Sequence, residues 1–310
     1  MQINKNIEQG FANGGLYDIL VALKNGQLPI SGRTYYVSKS GNGVDGLSWE
    51  TAFNTIAAAI AASNTYIAVT ANSYSRNRMY IDGGNLWQEV LVTLPNQCDM
   101  IGVGARTGWR PTIYGTTTIT TACPGFHAYN IMFYNPTTSV PVITMPAGSH
   151  GFEFHHCIIA NGDGMASTVG IQSTNNNDFV IDDCTISGNP PCVTGISLVG
   201  TSCVYSKITN NLISATTNGI LVANGMTADY GLLIKGNAIA RLDPNTDTQM
   251  TYGVRYADTQ SRCHCFICNN DISAATWISH ASSTTSIVNA QVNNRYSTGA
   301  DLYRDGHAVA

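Results

Sequence analysis

Charge is scarce in this sequence: Asp, Glu, Lys and Arg make up 11% of its 310 residues, against about 25% in typical soluble domains. What charge there is sums to −4. There is no basic surface to neutralise a phosphate backbone, which excludes nucleic acid as a partner. No apolar run approaches the ~20 residues that span a bilayer, which excludes membrane insertion by a helix. The opening Met1-Gln2-Ile3-Asn4-Lys5-Asn6 lacks the apolar core of a signal peptide, which predicts synthesis and folding in a host cytoplasm. The nine cysteines are odd in number and lack the spacing of a disulfide scaffold. They read as small buried thiols.

What is present is polar without being charged. Gly (30 residues), Asn, Thr and Ser are abundant, as suits many short strands joined by turns. A surface of hydroxyls and amides fits carbohydrate contact, or burial in a large assembly.

The organising feature is a phrase that occurs three times between Phe152 and Ile213. Phe152-Glu153-Phe154-His155-His156-Cys157-Ile158-Ile159 is followed by Phe179-Val180-Ile181-Asp182-Asp183-Cys184-Thr185-Ile186, then by Ser206-Lys207-Ile208-Thr209-Asn210-Asn211-Leu212-Ile213. The period is 27 residues. A fixed period of this size marks stacked supersecondary units.

Extended outward, the phrase becomes a set of columns. Its last apolar position runs Phe133, Ile159, Ile186, Ile213, Ile239, Ile272 and Tyr296, at spacings of 26, 27, 27, 26, 33 and 24. An inner column runs Ala128, Phe154, Ile181, Ile208, Ile234, Ile267 and Gln291. A second strand gives Ile143, Ile171, Ile196, Ile220, Val254 and Ile278, with Gly170, Gly195, Gly219 and Gly253 before four of them, read as a sharp turn. A third strand completes each coil. Coils ~4.8 Å apart would make seven of them a rod of roughly 35 Å. The long coil carries an excursion at Ala240–Met250.

Two places before the last apolar position stand Ile131, Cys157, Cys184, Asn211, Asn237, Asn270 and Asn294. An asparagine stacked on asparagines can donate to one neighbouring coil and accept from the other, so a buried ladder satisfies its own polar groups. Cys157 and Cys184 hold the same column where the ladder has not yet begun.

Upstream, Gly14–Gly26 reads as a short helix, and residues 1–33 as an arm for attachment or oligomer contact. Ser48 caps a helix over about 48–62 whose stripe is Trp49, Ala52, Phe53, Ile56, Ala57 and Ile60, suited to covering the open end of a solenoid. Tyr66–Val69, Met79–Ile81, Glu89–Val92 and Asp99–Val103 read as strands of the first coils. Tyr36-Val37-Ser38, Ser40-Gly41, Asp45-Gly46-Leu47-Ser48-Trp49, Thr51-Ala52-Phe53 and Thr55-Ile56 together resemble the leading segment of right-handed parallel β-helix proteins of the pectate-lyase-like superfamily, common in bacteriophage tailspikes and other virion proteins. The resemblance covers about thirty residues. It implies an all-β right-handed parallel β-helix over 34–310 with a capping helix, and leaves activity open, because the superfamily holds lyases, hydrolases, epimerases and silent structural proteins.

Asp182-Asp183 and His155-His156 are the candidates for chemistry. Thr209-Asn210 and Lys235-Gly236 hold the corresponding places, so the pairs read as turns, with an exposed His–Asp contact between them. Polygalacturonase-type hydrolases of the superfamily use Asn-Thr-Asp and Asp-Asp motifs. Asn245-Thr246-Asp247 is present here, but in the excursion and in the wrong order along the chain. Cys263, Cys265 and Cys268 form a weak metal candidate without a known zinc spacing, and Cys265 sits in the core column of Phe152 and Phe179.

These observations predict a non-enzymatic virion-surface protein, a capsid decoration protein or short attachment spike. It would be a homo-oligomer, a trimer by preference, docked through residues 1–33 to capsid or tail proteins, possessing no cofactor and contacting surface polysaccharide. The alternative is a polysaccharide lyase or glycosidase using Asp182, Asp183, His155 and His156.

Overall fold

Short apolar runs at a fixed period satisfy their amides when each coil lies on the last, every strand bonding in parallel to its counterpart one turn earlier. A computed structural model of the chain shows this arrangement for the residues it describes: 32–70, 75–104, 110–115, 117–165, 167–243, 248–257, 265–280, 290–292, 294–297 and 302–304. Ten parallel strands, from Thr34–Val37 through Glu153–His155 and Val180–Asp182 to Ala290–Val292, form a first sheet. A second sheet starts at Leu86–Gln88 and a third at Thr117–Thr118. The long strands Leu212–Val222 and Asp271–His280 turn the corner and belong to both. Leu302–Arg304 folds back antiparallel on Arg295–Ser297. The molecule is a three-sided parallel β-helix.

The predicted columns are the observed register. Phe133, Ile159, Ile186, Ile213, Ile239, Ile272 and Tyr296 pair in succession. The inner file from Gln291 to Ala128 continues back through Met100 and Met79 to Tyr35. Side chains of these files, as far as Ile267 and Ile272, fill the interior, and Phe152 and Phe179 stack at 4.9 Å between centroids. Each fully buried Ile or Phe contributes about 1.5–3 kcal/mol by leaving water.

The glycines of the third sheet answer to a different cause from the one predicted. Gly195 lies inside the strand Cys192–Val199, where a Cβ would stand 2.4 Å from the Ile213 Cγ2 methyl and 2.6 Å from the Gly219 carbonyl oxygen. Close approach of the next coil, not a turn, requires glycine there.

The asparagine column is buried and bonded along the axis. Asn211 donates its backbone N–H and its side-chain amide to Asn237 Oδ1, both at 3.0 Å, and the same amide to the Ile181 carbonyl at 2.9 Å. Asn237 repeats this toward Asn270, and Asn270 toward Asn294. Cys184 donates its N–H to Asn211 Oδ1 at 2.9 Å, so the thiol column joins the ladder's end. Burial pushes the Cys184 thiol upward, and likewise Cys98 and Cys192 to about 12 and Cys123 to about 11.

Three readings of the first coils are corrected. The helix spans Ile56–Thr70 rather than 48–62. Ser48 and Thr51 bond each other's backbone and side chains in a turn, and Phe53 bridges to Val37, exchanging backbone bonds with Tyr36 and Ser38. The apolar stripe therefore splits between a bridge and a helix. Tyr66–Val69 lies in that helix, not in a strand. Glu89–Val92 is not a strand either: the strand is Leu86–Gln88, and Glu89 leaves it so that its carboxylate caps the helix, accepting from Ile56 N–H at 2.8 Å and Ala57 N–H at 2.9 Å. The helix buries Ile56, Ala59 and Ile60 against the strands Thr34–Val37 and Asn77–Asp82, over the N-terminal end. The reading of 14–26 as a helix, nearly all of the arm 1–33 and Asn245-Thr246-Asp247 lie outside the described residues.

Asn237→Ala should lower stability by about 2–4 kcal/mol, because it strands partners in two coils. Cys184→Asn should leave stability within about 1 kcal/mol of wild type, since it adds a rung whose acceptor, Asn211, is already in place. Urea unfolding midpoints check both; equal losses from the two variants would contradict the ladder as the source of stability.

Candidate active site

The outer face of the first sheet carries two columns, one on each side of the buried inner file. One runs Arg78, Asp99, His127, Glu153, Val180 and Lys207. The other runs Tyr80, Ile101, Tyr129, His155, Asp182, Thr209 and Lys235. Three of the seven histidines in the chain, His127, His155 and His156, fall on or beside this stretch. In a protein with so little charge, that concentration is the most distinctive feature of the exterior.

Acids and imidazoles alternate along the row. Arg76 Nε donates to Asp99 Oδ1 at 2.6 Å, and its guanidinium also donates to the Gly125 carbonyl at 2.8 Å. His127 Nδ1 lies 3.2 Å from Asp99 Oδ1, 3.4 Å from Glu153 Oε2 and 3.3 Å from the Tyr129 hydroxyl. His155 Nε2 lies 2.9 Å from the same Glu153 oxygen, and its Nδ1 3.8 Å from Asp182 Oδ2. Asp182 Oδ1 accepts from Thr209 Oγ1 at 2.5 Å and from Asn210 Nδ2 at 2.9 Å. Tyr129 stacks on the His155 ring at 5.0 Å between centroids and 6° between planes, which fixes the imidazole's orientation.

The row is half-buried: the side chains of Asp99, His127, His155, Glu153 and Asp182 are between 16% and 28% exposed. Burial alone would raise the Asp99 carboxyl, but hydrogen bonds from His127 and Arg76 with the Arg76 charge outweigh it and hold it below the usual range. The hydrogen bond with His155 holds Glu153 low, against a smaller effect of burial. Burial and the neighbouring Asp99 and Glu153 charges push the Tyr129 hydroxyl up. The row thus presents ionised carboxylates beside oriented imidazoles. Asp99 Oδ1 and Glu153 Oε2 both approach the same His127 nitrogen, so the two carboxylates flank one imidazole.

The dipeptide pairs are divided by the structure. His155 and Asp182 close the strands Glu153–His155 and Val180–Asp182 and face outward, so they are not turn residues. Their neighbours His156 and Asp183 are in the turn, in left-handed backbone conformation, with His156 Nδ1 2.5 Å from Asp183 Oδ2. Sequence reasoning missed Asp99, His127, Glu153, Tyr129 and Arg76. The available signal was the outward alternation of Glu153 and His155 around Phe154, continued into the preceding coils.

The cysteine cluster does not assemble where it is described. Cys265 is buried and accepts a hydrogen bond from the Tyr256 hydroxyl at 2.6 Å, whereas Cys268 ends a strand in the outer column of Lys235. Inner and outer positions of one strand point to opposite faces. Cys263 lies outside the described residues. Among the described residues, no three His, Cys, Asp or Glu side chains are placed to hold a metal ion.

Because folding depresses the Asp99 and Glu153 carboxyls, their contribution to stability is present above the unfolded values near pH 4 and is lost as pH falls through the folded values. The thermal midpoint should drop from about pH 5 toward pH 3, and Asp99→Asn should flatten that drop while costing about 1–2 kcal/mol at neutral pH. Identical acid limbs for wild type and variant would contradict the assignment.

No family model matches the chain, and no curated protein matches it. Three solved structures do. A pectin methylesterase from Aspergillus niger, deglycosylated, is 14% identical with a TM-score of 0.48 over 87% of each chain. A pectin methylesterase mutant in complex with a hexasaccharide is 12% identical with a TM-score of 0.35, over 83% of this chain and 92% of that one. At these values the parallel register above, rather than the likeness, carries the fold.

Proposed function

We propose that this protein is a glycosidase that cleaves a polysaccharide lying against the outer face of the first sheet, using the row Asp99–His127–Glu153–His155–Asp182. The observation that carries the reading is the alternation itself: three carboxylates and two imidazoles in successive contact on an otherwise weakly charged surface. A face that served only for packing would gain nothing from partly desolvating these groups; the Ser, Thr and Asn used elsewhere would serve it at lower cost.

The chemistry divides naturally among the residues. Hydrolysis breaks the bond between the anomeric carbon and the leaving oxygen, delivers a proton to that oxygen and adds water's hydroxide to the carbon. Glu153 and Asp99, held ionised, suit stabilisation of positive charge at the anomeric carbon or activation of the water. The proton donor is then an imidazole, the side chain that ordinarily gains and loses protons between pH 5 and 8. His155, oriented by Glu153 and stacked on Tyr129, is best placed for that role. A lyase acting on uronates fits less well, because three carboxylates would repel the acidic sugar at the point of proton removal.

Non-enzymatic service in a virion is the competing proposal, motivated by the leading segment around Tyr36–Ile56. Incubation with neutral glucans, xylans, mannans and bacterial capsules, with polygalacturonate as the acidic comparison, separates the two. New reducing ends from a neutral glycan are expected, with Glu153→Gln and His155→Gln each lowering kcat by at least about a hundredfold while the fold is retained. No cleavage in any arm, together with regular association of the protein with phage particles, would establish the virion role instead.

A further inference from the structure

The turns that follow six successive strands of the first sheet, Phe126–Tyr129 to Phe266–Cys268, each hold one residue in left-handed conformation, and the residues in that column are Asn130, His156, Asp183, Asn210, Gly236 and Asn269, at φ between 47° and 70°. Asparagine and glycine are common in that conformation, and Asp and His adopt it too. Four of the six positions hold an uncharged Asn or Gly. The two ionisable ones are adjacent, and they belong to the two coils whose strands end in His155 and Asp182.

The turn is joined to the next coil by its backbone. Its coil-to-coil backbone bonds run on unchanged through the column, from His156 N–H to the Asp182 carbonyl at 3.2 Å and from Asp183 N–H to the Thr209 carbonyl at 3.1 Å. The same bonds continue from Asn210 to Lys235 at 2.9 Å and from Gly236 to Cys268 at 3.2 Å. An asparagine in the column also makes bonds of its own: Asn130 Nδ2 donates to the Gly102 carbonyl at 3.0 Å, and Asn210 Nδ2 to Asp182. The His156 carbonyl is meanwhile fixed by Arg110, an almost fully buried guanidinium whose Nη1 donates to it at 2.8 Å. The imidazole and carboxylate are 49% and 42% exposed, and meet at 2.5 Å.

We infer that His156 and Asp183 are specificity-determining residues: a rigid, oriented imidazole–carboxylate unit at the rim of the acid–base row that hydrogen-bonds the hydroxyls of a neutral sugar bound beside the cleavage point. The inference rests on the glycosidase reading and adds the substrate contact. A carboxylate that holds one ring nitrogen fixes tautomer and orientation of the imidazole. The buried Arg110 anchor keeps the unit from moving with the turn.

The test uses the full chain and whichever glycan of the panel above the wild type cleaves. His156→Asn and Asp183→Asn restore the residue that the column otherwise prefers. Their unfolding midpoints should therefore equal or exceed the wild type's. Their kcat/KM should fall at least tenfold, mostly through KM, with the pH profile of kcat unchanged. Unchanged kcat/KM beside a raised midpoint would overturn the inference and leave the glycosidase reading standing. A lowered midpoint would show the pair to be structural and overturn it as well. A wild type inactive on every glycan would overturn both.

Discussion

The parallel hydrogen-bonded stacking of one coil on the next is the constraint on which everything else depends. Because register is kept from Tyr35 to Gln291 along one file, a residue's neighbours along the axis are fixed by its place in the repeat, at ~4.8 Å per coil. Inside, that proximity rewards identical side chains: isoleucine on isoleucine, phenylalanine on phenylalanine, and asparagine on asparagine, where each amide completes the next. Outside, it penalises identical charges. Two like charges at such a distance repel by about 1 kcal/mol in water and several times that where water is partly excluded. The sequence Arg78, Asp99, His127, Glu153 down one column is an arrangement the stacking tolerates, because no two neighbours carry the same charge.

The same constraint explains what could be read from residues alone. Interior columns were legible because they repeat with little variation, and every file traced from Phe133 to Tyr296 is the observed pairing. The exterior row does not repeat. Asp99 lies in a coil before the columns begin, and only register connects it through His127 to Glu153. Attention to the dipeptides Asp182-Asp183 and His155-His156 also concealed that each straddles a strand end, with one member on the sheet face and the other in the turn. The helix boundary was lost for a related reason. An apolar stripe from Trp49 to Ile60 has helical spacing, but Ser48 and Thr51 satisfy each other in a turn and Phe53 is claimed by Tyr36 and Ser38. Long-range backbone partners overrode a local pattern.

The asparagine ladder and the acid–base row are housed in different parts of the rod. The complete ladder, Asn211 to Asn294, lies on the C-terminal side, while the row occupies the coils before it, whose ladder positions hold Ile131, Cys157 and Cys184. The coils that carry the row are packed instead on the rings of Phe126, Phe152, Phe154 and Phe179, two of their contacts edge-to-face and one stacked. A core of interlocked rings is rigid without imposing polar partners near the outer groups. His155 inherits that rigidity through its backbone and adds its own stacking on Tyr129.

The partial burial of the row sets how strongly its groups interact. Fully exposed, a carboxylate and an imidazole interact weakly and are screened by salt. Fully buried, they would neutralise one another or lose their charge to desolvation. At about a fifth of their surface exposed, Asp99 and Glu153 are desolvated enough for their partners to matter, yet both are held ionised by those partners. A ligand that covers the face removes the remaining water and strengthens every one of these interactions at once. An outer face built from alternating acids and imidazoles is thus weakly tuned when bare and strongly tuned when a polymer lies along it, which is what the proposed glycosidase role asks of it.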